Sequence, residues 1–212
     1  LIKLVTKNLT NVNIDEQKFN NFKEAMIRGL KNKKLNQAYQ RGGYYNWLMM
    51  FDNQYTDEEK LEALSPLTLD DVKSFARKLY EKVYVTGVIH GNWTDEQAKE
   101  SVSILLNSLN GQSLPKNERY EQVVEVLNPG ERIQFSREVE DNNNSLSYTI
   151  QVGEKDLALM AKASILASII ENDFYTQMRT NQQLGYIVWS FQQRTEKRMF
   201  FRFLIQKVYL PC

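Results

Sequence analysis

Residues 157–178 are the most apolar stretch of the chain, and they narrow what it can become. A run of that length would suit a bilayer if it were free of charge. Lys162, Glu171 and Asp173 fall inside it and would be costly in lipid. The stretch is therefore read as a buried soluble helix over 156–179, with Leu159, Ala163, Leu166 and Ile170 in one stripe. Strand patterns flank it. Leu146, Tyr148, Ile150 and Val152 alternate with polar residues, which predicts a strand with that face buried. Ile133, Phe135 and Val139 alternate as well, and Asp141-Asn142-Asn143-Asn144 supplies turn chemistry for a hairpin. Downstream, 185–192 and 199–208 are apolar on both faces in places and read as central strands. The order of strands, long helix and strands predicts an α+β fold, an antiparallel or mixed sheet with helices packed on one face at least.

The first half is predicted to be mostly helical. Asp15 caps a helix to about Lys33, with Phe19, Phe22, Met26 and Leu30 on its apolar face. The basic residues at its far end suit the negative end of the helix dipole and read as solvated. A second helix covers 37–51, although Gly42 and Gly43 weaken its middle. Thr68 caps a third, with Phe75, Leu79 and Tyr80 inward, and Thr94 caps a fourth through Leu109. Between these last two, 83–89 reads as a strand ending at His90-Gly91-Asn92. Asn128-Pro129-Gly130 is the best boundary and divides the chain into 1–128, mostly helical, and 129–212, built of hairpin, helix and strands.

Little catalytic chemistry is present. The net charge of +1 argues against a dedicated nucleic-acid binder, and no segment reads as membrane-spanning. The one histidine is His90 and the one cysteine is Cys212, so no Cys-based or ordinary catalytic zinc site is expected. Neither H-E-x-x-H nor H-x-x-E-H occurs, and there is no G-x-S-x-G elbow. His90 is read as structural. The chain opens at Leu1 without an initiator Met and is read as an internal piece of a longer polypeptide.

One segment is more specific. The run Phe174-Tyr175-Thr176-Gln177-Met178-Arg179-Thr180-Asn181-Gln182-Gln183-Leu184-Gly185-Tyr186-Ile187-Val188 resembles the phrase F-x-x-L-R-T-x-x-Q-L-G-Y-x-V of the pitrilysin/insulysin-type (M16) metallopeptidases. Met178 stands where the phrase has Leu, a mild change. His90-Gly91-Asn92 and Phe203-Leu204-Ile205-Gln206 are similar to further strand-end and strand motifs of that family, as is the helix opening at Ile14-Asp15-Glu16. The resemblance implies that 1–128 is the later part of the family's third domain and 129–212 the first part of its fourth, both incomplete.

It also implies a division of labour. The N-terminal half of such enzymes carries the H-x-x-E-H zinc site, and the C-terminal half, which holds no metal, closes over it. Arg179 and Tyr186 then match residues that reach the peptide near the scissile bond. From the residues alone, Arg179 could equally cap the helix and Tyr186 could be a core aromatic. The expected partners are the N-terminal half of the same polypeptide and peptide substrates, with zinc bound by that other half and no cofactor here. The resemblance implies a soluble protein of cytoplasm or periplasm. A fragment of this kind is expected to pack against another copy or another segment of its parent. The alternative is a catalytically inactive M16-like structural or interaction subunit. An unrelated α+β binding module is a third reading.

Overall fold

The computed structural model describes residues 2–10, 13–139 and 141–208. The chain forms two compact units, each assembled from two segments: 1–29 with 58–121, and 30–57 with 122–212. Position 128/129 lies inside the second unit.

The first unit is helical. It holds α1 (Ile2–Thr10), most of α2 (Glu16–Asn32) and α4 (Asp57–Leu64), then α5 (Leu69–Lys78) and α6 (Asp95–Leu109). α1 and α4 were not foreseen in the sequence. The caps are as expected, because capping is local chemistry. The Asp15 carboxylate accepts from the Lys18 backbone N–H at 2.7 Å. Thr68 and Thr94 open α5 and α6 with reciprocal capping boxes, to Asp71 and Gln97. These donors hold the Asp15 and Asp71 carboxyls below the usual carboxylate range: for Asp15 chiefly the Lys18 backbone N–H, for Asp71 chiefly the Thr68 hydroxyl.

The inward faces differ from the sequence reading. On α2 the half-buried positions are Phe19, Lys23, Ile27 and Leu30, while Phe22 and Met26 are exposed. The face is rotated because Lys23 turns inward, its ammonium donating to the carbonyls of Ser65 at 2.7 Å and Leu67 at 2.8 Å beyond the end of α4. Those carbonyls have no helical partner, and a Lys supplies one. Phe75 of α5 and Leu79 just past its end are likewise exposed. The strand expected over 83–89 shrinks to β1 (Lys82–Val83), which pairs in parallel with β2 (Gln112–Ser113). Beyond Val83 the chain has no ladder partner among the described residues, and an apolar pattern without a neighbour to pair with does not make a strand. Gly111 permits the close approach at this point, since a Cβ there would lie 2.1 Å from the Tyr80 carbonyl oxygen.

The second unit holds the main sheet. β3 (Asn143–Glu154), β4 (Ile187–Arg194) and β5 (Arg198–Val208) are antiparallel in the order β3-β5-β4. β5 is central, as expected, whereas β4 is an edge strand, paired only with β5 among the described residues. α7 (Leu157–Tyr175) and α3 (Ala38–Met50) lie on opposite faces. Alternation along β5 fixes this. Met199 and Phe201 pack with Ala163 of α7, and Phe200 packs with Met50, Phe51 and Val124. Burying side chains of this size stabilises a fold by roughly 1.5–3 kcal/mol each. α3 runs unbroken through Gly42 and Gly43, which let it approach the sheet. A Cβ on Gly42 would lie 2.9 Å from the Ser145 hydroxyl oxygen, and one on Gly43 would lie 3.4 Å from the Arg202 guanidinium.

β3 reverses the expected polarity. Leu146, Tyr148, Ile150 and Val152 are exposed, and the polar residues between them are half-buried. The reason is hydrogen bonding to the α3 side. Ser145 donates to the Ala38 carbonyl at 2.8 Å, Thr149 donates to the Asn46 amide oxygen at 2.6 Å, and Gln151 donates to the Glu125 carbonyl at 2.9 Å. α7 lies mainly over β4 and the β5 residues beside it, so the apolar row of β3 stays uncovered among the described residues. The hairpin with 133–139 does not form, because β3 takes β5 as its partner. The turn chemistry is nevertheless used. Asp141 accepts from the Asn143 backbone N–H at 3.0 Å and pairs with Arg41 of α3 at 2.8 Å.

Candidate functional site

The motif segment lies where α7 gives way to β4. Asp156 caps α7 by accepting from Leu159 N–H at 2.9 Å. At Thr176–Asn181 the helix continues as a π-helix. The Gln182 N–H bonds the Gln177 carbonyl at 2.9 Å, five residues back. Such widened turns are rare and often found at functional sites. Gln183 then takes a left-handed conformation (φ 51°), Leu184 N–H returns to the Met178 carbonyl at 2.8 Å, and the chain turns back toward the sheet.

Gly185 is required at the next step. A Cβ there would sit 2.1 Å from the Gln206 carbonyl oxygen and 2.8 Å from its carbon, both backbone atoms of β5. The glycine thus permits close contact with the central strand. The Tyr186 N–H then donates to the Gln206 carbonyl at 3.1 Å, so the tyrosine enters the sheet beside β5.

Arg179 and Tyr186 are brought together here. Arg179 Nη1 donates to the carbonyls of Gly185 at 2.9 Å and Tyr186 at 2.6 Å. Its guanidinium carbon stands 4.5 Å from the centre of the Tyr186 ring, within the range of a cation–π contact. Tyr186 is 79% exposed and Arg179 is half-buried. The tyrosine is thus no core aromatic, and its hydroxyl has no protein partner among the described residues. Arg179 does not cap the helix: the carbonyls it bonds lie four and five residues past Asn181, where the chain enters the strand. Both bonds use one nitrogen, leaving its remaining donors without protein partners among the described residues.

Sequence reasoning missed Arg202, whose charge inside the apolar run Phe200–Leu204 was the available signal. It donates to the Ser147 hydroxyl at 2.9 Å, and burial lowers its pKa from the ordinary guanidinium value. The residues present do not fit a zinc site. His90 is exposed in an irregular segment, and among the described residues no group of three His, Cys, Asp or Glu side chains converges. Cys212 lies outside the described residues. No helix is long and apolar enough to cross a membrane, among the same residues.

The second unit is an α+β layer domain, a three-stranded antiparallel sheet between helices with an arginine-tyrosine pair at a helix-to-strand junction. The family model described as peptidase M16 inactive domain matches 66–206, and that of the middle or third domain of the same family matches 1–63. The chain belongs to the peptidase M16 family.

Curated relatives agree. The chain is 28% identical to insulin-degrading enzyme of Drosophila melanogaster, covering 100% of this chain and 22% of that protein. For insulin-degrading enzyme of Homo sapiens the identity is 28%, over 97% of this chain and 21% of the relative. For the A-factor-processing enzyme of Saccharomyces cerevisiae it is 32%, over 97% and 21%. The chain therefore spans about a fifth of the length of these relatives. The crystal structure of pitrilysin shares the fold, with a TM-score of 0.70 at 18% identity over 93% of this chain and 21% of pitrilysin.

Proposed function

We propose that this chain forms part of the substrate-chamber wall of a zinc metalloendopeptidase, with Arg179 and Tyr186 meeting the peptide while the metal is held by the N-terminal half of the same polypeptide. The observation that supports this best is the exposed Tyr186 phenol held at 4.5 Å by a guanidinium whose own backbone bonds fix its place. Peptide hydrolysis builds negative charge on the carbonyl oxygen, and donors fixed beforehand stabilise it without reorganising. A phenol hydroxyl and the spare guanidinium N–H groups are such donors. The third-and-fourth-domain division at 128/129 is part of the same proposal.

The test is Tyr186→Phe in the full polypeptide. It removes one exposed hydroxyl and keeps the ring under Arg179, so fold and zinc content are expected to stay unchanged. The expected loss is on the order of 10²-fold in kcat with little change in KM. Arg179→Ala should lose at least as much, though it also frees two carbonyls. Wild-type turnover in both variants would refute the assigned role.

One observation favours a second reading, an inactive structural or interaction subunit. Arg179 spends Nη1 on backbone carbonyls, which a scaffold would also need. An H-x-x-E-H motif upstream together with a Tyr186→Phe defect supports the peptidase; absence of both supports the scaffold. Self-association through the exposed apolar row of β3 is the expected behaviour of the chain alone, and a monodisperse monomer in sedimentation counts against it.

A further inference from the structure

Among the described residues β4 is paired on one side only, with β5. In an antiparallel pair alternate residues direct N–H and C=O away from the partner, so β4 presents a row of free backbone groups along its outer side. The end of α7 runs beside that edge and leaves a concavity of roughly 400 Å³, with Glu171, Asn172 and Tyr175 on one wall and Val188, Ser190 and Phe191 on the other. The Glu171 carboxylate is exposed and has no ion-pair partner among the described residues. Along β4 the buried side-chain oxygens of Ser190, Gln192 and Gln193 also lack hydrogen-bond partners, so unmet polar groups concentrate on this strand. Tyr186 immediately precedes β4, and Arg179 lies one turn past Tyr175.

We propose that the free edge of β4 takes an extended peptide as an added strand, with a basic side chain of that peptide over the concavity facing Glu171. This rests on the peptide-contact reading of Arg179 and Tyr186 and deepens it. Ladder hydrogen bonds supply sequence-independent grip, and every second side chain of the added strand enters the concavity, where a carboxylate selects a cation. The edge continues from the arginine-tyrosine pair, so a peptide gripped here is led toward those donors.

The experiment is an N-methyl scan. A fluorescein-labelled octapeptide of Val and Thr with one central Lys is titrated into the full chain by fluorescence anisotropy, and each backbone amide is methylated in turn. The expected result has a period of two: methylation at alternate positions weakens binding by on the order of tenfold, and at the positions between by less than about twofold. Replacing the Lys by Glu should weaken binding several-fold in the wild type and have little effect in Glu171→Gln. A flat scan, or no binding, overturns the inference. So does a dimer that persists in Leu146→Glu, which charges the exposed β3 row, while the peptide stays unbound, since the edge then takes a second copy. Because this assay needs no turnover, a periodic scan alongside a fully active Tyr186→Phe would sink only the catalytic reading, and a flat scan alongside an inactive Tyr186→Phe would sink only this one.

Discussion

Replacing Gly185 with alanine should damage the second unit far more than its single methyl suggests. The new carbon would lie 2.1 Å from the Gln206 carbonyl oxygen, 2.8 Å from the Gln206 carbon and 3.2 Å from Ile205 Cγ2. Ordinary contact begins near 3.4 Å, so the backbone there must open by more than an ångström. The two nearest obstacles are backbone atoms, which cannot swing aside as the tip of a flexible side chain would. Opening breaks the Tyr186 N–H bond to Gln206, costing about 0.5–1.5 kcal/mol. Overpacking adds about 1–3 kcal/mol. Together they imply about 1.5–4.5 kcal/mol, or roughly 5–25 °C in the melting temperature of a unit of this size. The assay is thermal and urea unfolding beside a matched control, Gly29→Ala. Gly29 sits inside α2 with nothing within 4 Å of a built Cβ, so there the same change should stabilise by about 0.5–1 kcal/mol. Equal effects at the two glycines would refute the close-approach argument.

Three other changes read separate parts of the structure. Asp141→Asn should destabilise by about 1–2 kcal/mol near neutral pH, between the values for exposed and buried pairs, because it weakens both the Arg41 pair and the Asn143 turn. The Asn143 backbone N–H chiefly, with the Arg41 charge adding, holds the Asp141 carboxyl below its ordinary range. The unfolded chain therefore takes up the proton first as pH falls, and the stability gap between wild type and variant, full above pH about 5, should shrink as acid titrates the folded carboxylate; a gap that widens in acid would contradict the assignment. Thr94→Ala should cost about 1 kcal/mol in the first unit by uncapping α6, with Thr94→Ser restoring most of it in chemical denaturation. Phe200→Ala should cost about 3–5 kcal/mol while Phe22→Ala stays within about 0.5 kcal/mol, since Phe200 is 3% exposed and Phe22 69% exposed; comparable losses would return Phe22 to an inward face.

Much that was legible in the sequence was local. Asp15, Thr68, Thr94 and Asp156 cap helices with their own neighbours, so their positions could be read without the fold. The Arg179–Tyr186 approach was also open to reading, through a motif that spans one helix end and one strand start. What failed depended on distant partners. Residues 83–89 and 133–139 carry strand patterns, but pairing lies with whichever strand reaches them, and β5 took β3 instead. The alternation of 146–152 announced a strand and its period but not which side α3 would meet, and hydroxyls that bond the helix outcompeted the apolar row for that side. Lys23 did the same on α2, where carbonyls far along the chain decided which face turned in.

The π-helical turn at Thr176–Asn181 gives this segment one residue to spare. Each backbone ring there encloses one more residue than an α-helical ring does. Deleting a single residue within the turn would let ordinary winding run through at about 100° per residue, and the chain beyond it would leave in nearly the same direction. A one-codon loss here is therefore absorbed by the helix, whereas the same loss inside the α-helical body of α7 would rotate everything after it by about 100°.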